Sequence, residues 1–305
     1  MADATIGKEG APARITRQEG DFHIAFHAMA TPCEIRIESS DERLAMQVAA
    51  AAEDEARRIE QKFSRYRADS VVGKINASSG GGGLAVDGET ASLLDCAEHC
   101  FHLSEGKFDV TSGVLRRAWR FDGTGQIPSA ERIGKLRTLI GWEKVSWRAP
   151  VFALPAGMEI DFGGIAKEYA VDRVLENIRY LTSVPALVNF GGDLRVSGTR
   201  NGGFGWNVAI ESVDRAGQMA AMLQLTSGAL ATSGDAQRYL MLDGVRYGHI
   251  LNPRTGWPVR DAPRSVTVAA STCVEAGLTA TIAMLQGHGA EEFLKREGMR
   301  AWCIR

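Results

Sequence analysis

The stretch Asp161-Phe162-Gly163-Gly164-Ile165-Ala166-Lys167 constrains this chain most, because an apolar run ends there in paired glycines and opens at once into a helical pattern with an early lysine. Glycine lets the backbone come close to an anion, the free N–H groups of a helix start point toward it, and a lysine in the first turn adds positive charge. The pattern predicts a phosphate-holding turn. Taken alone, it also fits an ordinary strand-turn-helix junction.

Three later stretches carry similar punctuation. Asn189-Phe190-Gly191-Gly192-Asp193 interrupts two β-rich runs, 186–188 and 194–196, and Ala231-Thr232-Ser233-Gly234-Asp235 follows another apolar segment. His249-Ile250-Leu251-Asn252-Pro253-Arg254-Thr255-Gly256 sets a histidine before an Asn-Pro turn that holds an arginine and a hydroxyl. Each is ordinary turn chemistry by itself. Together they predict loops gathered around one polar, phosphate-bearing ligand.

With these motifs in order, the chain resembles the ApbE-type FAD:protein FMN transferases, or flavin transferases, over nearly all its length after the first twenty residues. Ala28-Met29-Ala30-Thr31 resembles the family's Met-Gly-Thr element, with alanine in place of glycine. Phe63-Ser64-Arg65-Tyr66-Arg67-Ala68-Asp69-Ser70, continuing to Ile75-Asn76, resembles its tyrosine loop. Gly106-Lys107-Phe108-Asp109-Val110-Thr111-Ser112-Gly113, followed by Trp119, resembles its Gly-x-Phe-Asp-x-Thr element.

The resemblance implies an α+β fold of mixed sheets with flanking helices, and an FAD site between the glycine-rich loops. It implies transfer of FMN from FAD to a threonine or serine hydroxyl of a partner flavoprotein, with release of AMP. Such phosphoryl chemistry needs charge neutralisation, a base for the attacking hydroxyl and fixed alignment. His249 is the expected base, since a histidine exchanges protons near neutral pH. Gly163, Gly164 and Lys167 are expected to hold flavin or adenylate phosphates. Met29 and Tyr66 are expected as apolar walls for the rings. Ser70, Asp109, Thr111, Gly192, Asp193, Ser233, Asp235 and Thr255 are expected around ribityl, ribose or base edges, although Asp109 and Thr111 also suit a helix cap.

The metal site departs from the family pattern. The resemblance implies magnesium held by the Ala166 carbonyl, by an aspartate in a carboxy-terminal Ala-Asp element and by a threonine four residues beyond. Here that segment reads Glu275-Ala276-Gly277-Leu278-Thr279-Ala280-Thr281, so Thr281 remains and Gly277 stands at the aspartate position. Two neutral oxygens bind a hard cation weakly. Glu168, next to Ala166 where glycine is usual, either replaces the charge or fills the site. The reading therefore keeps three outcomes: FMN transfer with a rebuilt metal site, metal-poor help in attaching whole FAD to a partner enzyme, or noncatalytic FAD binding.

Composition narrows the partners. Lys plus Arg is 35 against 37 Asp plus Glu, a net charge of −2, so no broad basic character points to nucleic acid. No run approaches the roughly twenty apolar residues of a membrane span. Residues 1–20 are polar, without an apolar stretch of signal-peptide length, and read as a flexible tail before a single domain over 21–305, in a cytoplasmic protein. Cys96 and Cys100 lie four apart near His99 and His102, but the segment 91–103 reads as an amphipathic helix with buried thiols.

Periodicity places helices over 43–64, 93–103, 129–139, 165–181, 274–285 and 291–297, with 111–119 a further candidate. Strands are expected at 33–37, 206–210, 223–225, 239–242 and 265–270, and a glycine-rich loop at 78–83.

Overall fold

The computed structural model describes residues 11–18, 20–121, 126–213, 218–235 and 238–305. Its centre is an eight-stranded sheet with the spatial order Arg14–Gln18, Asp21–Ala28, Thr31–Ile37, Ala186–Phe190, Asp193–Val196, Gly228–Gly234, Ser265–Ala270 and Arg300–Ile304. Every pairing in it is antiparallel. The α+β class is as the sequence implied. Within the flexible tail expected over residues 1–20, however, Arg14–Gln18 pairs residue for residue with Asp21–Ala25 as an edge strand. Residues 1–10 lie outside the described residues.

Side chains alternate across this sheet, as the two-residue period of a strand requires. Val188, Phe190, Ala229 and Ala231 point into the larger core, against helices Glu42–Phe63, Ala166–Leu181 and Cys273–Leu285. Leu187, Leu194, Val196 and Leu230 point to the other face, where the hairpin Trp206–Glu211 and Met219–Leu225 covers them with Trp206 and Val208. Asp193 and Arg195 have the parity of the helix face, and both form ion pairs with helix Ala166–Leu181.

Helix Glu42–Phe63 starts where Asp41 accepts from the Arg43 and Leu44 amides, and it buries Ala45, Val48, Ala49, Ala52, Ala56, Ile59 and Phe63 at helical spacing. The short helix Val71–Ala77 was not expected from the sequence. Ser70 starts it, its Oγ accepting from Gly73 N at 2.8 Å while donating to Ser64 O at 2.7 Å. The candidate helix at 111–119 is a 3₁₀ helix over Val110–Arg117. Tyr239–Leu242 pairs with Val245–Gly248 through an Asp243-Gly244 turn with both φ positive, the Asp-Gly hairpin signature.

Candidate active site

Three chain reversals meet at one end of the central sheet. Met29 and Ala30, both with positive φ, turn the chain between the strands Asp21–Ala28 and Thr31–Ile37. Gly191 and Gly192 do the same between Phe190 and Asp193, with Asn189 Oδ1 accepting from Gly192 N at 2.9 Å. A Cβ on Gly191 would overlap Thr31 Oγ1, so glycine lets these two turns lie side by side. The third reversal is the end of strand Gly228–Gly234, which brings Thr232 and Ser233 beside Asp193.

The glycine turn at 163–164 rests on a floor supplied by residues 108–113. Gly113 lies so close under the turn that a Cβ there would meet Asp161 Cβ at 2.8 Å, and Asp161 N donates to Val110 O at 2.9 Å. Asp161 Oδ1 accepts from Gly163 N at 2.9 Å, and its Oδ2 pairs with Arg65 Nη1 at 2.6 Å. Arg65 also lies over the Tyr66 ring, 5.0 Å from its centroid, and donates to its hydroxyl at 3.0 Å. Tyr66 is nevertheless 80% exposed. Arg65 and Asp161 thus pair beside the glycine turn, and sequence reasoning quoted both within motifs without assigning them a role.

Helix Ala166–Leu181 has no side-chain cap at its start; Ala166 N donates to Phe162 O at 2.8 Å, and the amides after it in the first turn are the ones open to an anion. Lys167 in that turn pairs with Asp193, whose other oxygen accepts from Thr232 N at 2.9 Å. Thr281 Oγ1 reaches Ser233 Oγ at 3.4 Å. Lys167, Asp193, Ser233 and Thr281 therefore converge, although they come from four elements. Helix Cys273–Leu285 is set in place by Asp172, whose two oxygens accept from Cys273 N at 2.9 Å and Val274 N at 3.0 Å, with Arg195 3.1 Å away.

Glu168 lies over Gly277. A Cβ at 277 would meet Glu168 Cγ at 2.5 Å, so the glutamate occupies the space an aspartate side chain would need. Glu168 is 7% exposed, and its Oε2 has no hydrogen-bond partner. Glu275 faces elsewhere and accepts from Ser271 N and Oγ at 3.1 and 2.6 Å. Among the described residues no three His, Cys, Asp or Glu side chains form a metal-type cluster. The oxygens at hand, one buried carboxylate with an open acceptor and the Thr281 hydroxyl, nevertheless suit a hard cation, which takes oxygen ligands.

His249 follows the hairpin Tyr239–Leu242 and Val245–Gly248. Its Nδ1 lies 3.1 Å from Arg238 O, and because a carbonyl only accepts, Nδ1 carries the proton and Nε2 keeps its lone pair. Burial pushes the His249 pKa below its ordinary 6.5, so the ring is neutral near pH 7. The hairpin is tied to the end of strand Gly228–Gly234 through Asp235, against which Gly248 packs. Trp119 holds the following loop, its Nε1 donating to Gly256 O at 2.9 Å.

Several expected ligand contacts turn out to be internal. Asp109 Oδ1 accepts from Thr111 N and Oγ1 at 2.8 and 2.7 Å, its Oδ2 accepts from Trp142 N at 3.0 Å, and Thr111 Oγ1 accepts from Gly141 N at 2.8 Å. Both residues are buried and brace the floor under the glycine turn. Ser70 is a buried helix cap. Asp235 has both carboxylate oxygens committed, to Arg246 Nε and Arg264 Nε, each at 3.0 Å. Thr255 is exposed, with Oγ1 accepting from Trp257 N at 3.2 Å. In each case a small polar residue in a loop motif serves the loop, because buried amides need acceptors before a ligand arrives.

The chain has close relatives in sequence and in fold. The ApbE family profile matches residues 29–303. The FAD:protein FMN transferase of Klebsiella pneumoniae is 30% identical over 269 residues, covering 87% of this chain and 81% of that protein. That of Vibrio cholerae is 31% identical over 236 residues, covering 75% and 70%. The crystal structure of the ApbE protein from Thermotoga maritima superposes with a TM-score of 0.86 at 32% identity, covering 93% of this chain and 94% of the other. The flavin transferase ApbE from Vibrio cholerae superposes with a TM-score of 0.81 at 26% identity, covering 96% and 94%. The match in sequence, fold and ordered site motifs means that this chain belongs to the ApbE family.

Proposed function

We propose that this chain is a flavin transferase that moves the FMN portion of FAD onto a threonine or serine hydroxyl of a partner protein and releases AMP. The relatives named FAD:protein FMN transferase support the activity. The observation that carries the site assignment is the convergence of Lys167, Asp193, Ser233 and Thr281 at the sheet end to which Asp235 ties the His249 hairpin.

The pyrophosphate of FAD lies against the Gly163-Gly164 turn and the first-turn amides of helix Ala166–Leu181, with Lys167 balancing its charge. Tyr66, steadied by Arg65, and Met29 flank the rings. The acceptor hydroxyl gives its proton to Nε2 of His249 as its oxygen bonds to the FMN phosphorus. The bond from that phosphorus to the bridging oxygen breaks, and AMP leaves with the oxygen. Magnesium bound beside Glu168 and Thr281 would neutralise charge on the phosphates. Five free cysteines, of which Cys33, Cys100 and Cys273 are buried, suit a reducing compartment, which supports a cytoplasmic place of action. No helix among the described residues is long and apolar enough to cross a membrane.

The test is mass spectrometry of an acceptor protein co-expressed with this chain. Addition of FMN to a threonine or serine supports the reading. Addition of whole FAD, or no addition while FAD binds, overturns it.

A further inference from the structure

We infer that Glu168 is the carboxylate ligand of a divalent cation in this site, taking over from position 277. The inference rests on the flavin-transferase reading and names a ligand for it. A buried carboxylate oxygen with no donor is costly, because the charge has left water and nothing has replaced the lost hydrogen bonds. Glu168 Oε2 is such an oxygen.

Its neighbours leave Oε2 without a partner. Lys167 lies 3.5 Å from the other oxygen, Oε1, and its ammonium is already paired with Asp193. Asp193 in turn spends its second oxygen on Thr232 N. The open acceptor at this place is therefore that of Glu168. A bound cation supplies the partner that Oε2 lacks, and oxygen-only ligation selects magnesium or manganese over softer metals.

Position 277 explains why the glutamate fits. A Cβ there would lie 2.5 Å from Glu168 Cγ and 3.1 Å from its Cδ and Oε1, so the glycine makes room for the glutamate. Thr281, four residues on, stands on the same face of helix Cys273–Leu285 and directs its hydroxyl toward Ser233. The side chain of one helix fills the space left by a glycine of the other. Restoring an aspartate at 277 alone would crowd Glu168 rather than complete a site.

The experiment follows Mn²⁺ binding by electron paramagnetic resonance, with thermal melting and FAD fluorescence measured on the same samples. The unaltered protein is expected to bind one Mn²⁺ and to melt at a higher temperature with it. Glu168→Gln should bind Mn²⁺ more than about tenfold more weakly, and should melt higher than the unaltered protein when metal is absent, since the unpaired carboxylate is gone. Gly277→Asp alone should melt lower, and the double exchange Glu168→Gly with Gly277→Asp should recover both melting and Mn²⁺ binding. If Glu168→Gln does not fold, the double exchange decides. Equal Mn²⁺ affinity in Glu168→Gln, or saturable FAD binding with no Mn²⁺ site in the unaltered protein, overturns the inference and leaves the flavin reading standing. Absence of FAD binding removes that reading instead.

Discussion

At the scale of single residues, protonation and backbone strain decide what the site can do. His249 has its proton fixed on Nδ1 by the Arg238 carbonyl, which leaves Nε2 as the acceptor. His249→Gln is expected to bind FAD as before while transfer falls about 100-fold or more, the scale of a lost general base; equal loss of FAD affinity would show a binding role. The pKa of the ring is lowered by burial, so the base stays neutral and active somewhat below pH 6.5. For stability the sign is the same: the folded value lies below the unfolded one, so the contribution is complete above 6.5 and is lost as pH falls through the folded value. Urea midpoints at neutral and mildly acid pH should converge in His249→Gln if this ring carries the dependence. Ala30 holds φ at +56°, where a Cβ is strained. Ala30→Gly is expected to raise stability by up to about 1 kcal/mol, read from the denaturant midpoint, and an unchanged midpoint would show that the turn carries no such strain.

At the scale of elements, the site is assembled by side chains that reach from one helix or strand to the next. Asp172 in helix Ala166–Leu181 caps helix Cys273–Leu285 and also pairs with Arg195 of the sheet. Removing it leaves the Cys273 and Val274 amides without their acceptor and leaves Arg195 with Glu176 alone, 3.0 Å away. Asp172→Ala is expected to cost about 3 kcal/mol, in the range for breaking a buried charge pair, and to weaken FAD binding through displacement of Thr281. A urea midpoint within error of the unaltered protein would show that the cap is dispensable. The 3₁₀ helix Val110–Arg117 and the residues before it serve a similar purpose, since Gly113 fits beneath Asp161 and Phe108 lies against Gly164.

At the scale of the whole molecule, a sheet end and a separate hairpin have to meet for chemistry to occur. The loop after His249 is pinned to Trp119 through Gly256, whose φ is +74° and whose Cβ would meet Ile133 Cγ2 at 2.5 Å. Gly256→Ala therefore combines backbone strain with overlap and is expected to cost about 2 kcal/mol. It should lower transfer more than FAD affinity, because Gly256 lies in the loop that follows His249 and not in the proposed phosphate turn at 163–164. Transfer kinetics and FAD titration on one preparation separate the two, and parallel loss in both would show that the His249 loop also holds the cofactor.

The amino-acid sequence by itself determined the repeating elements and the turns. Helix Glu42–Phe63 and the β-rich runs are legible because burial follows periods of 3.6 and 2, and Gly191-Gly192 is legible because a two-residue reversal with positive φ favours glycine. The helix start at Lys167 is legible for the same local reason. The partners of the polar side chains were decided only in the tertiary structure. Asp109, Thr111, Ser70 and Asp235 sit in ligand-type motifs but spend their acceptors on amides and guanidinium groups of the protein, and Arg65 gains its role from Asp161, which lies far along the chain. Glu168 and Gly277 make the point most sharply. Neither is informative alone, and only the packing of two helices shows that the glutamate occupies the space beside the glycine. Periodicity and turn chemistry act between neighbours in the chain, whereas a hydrogen bond or a shared cavity depends on distances that close only when the helices dock on the sheet.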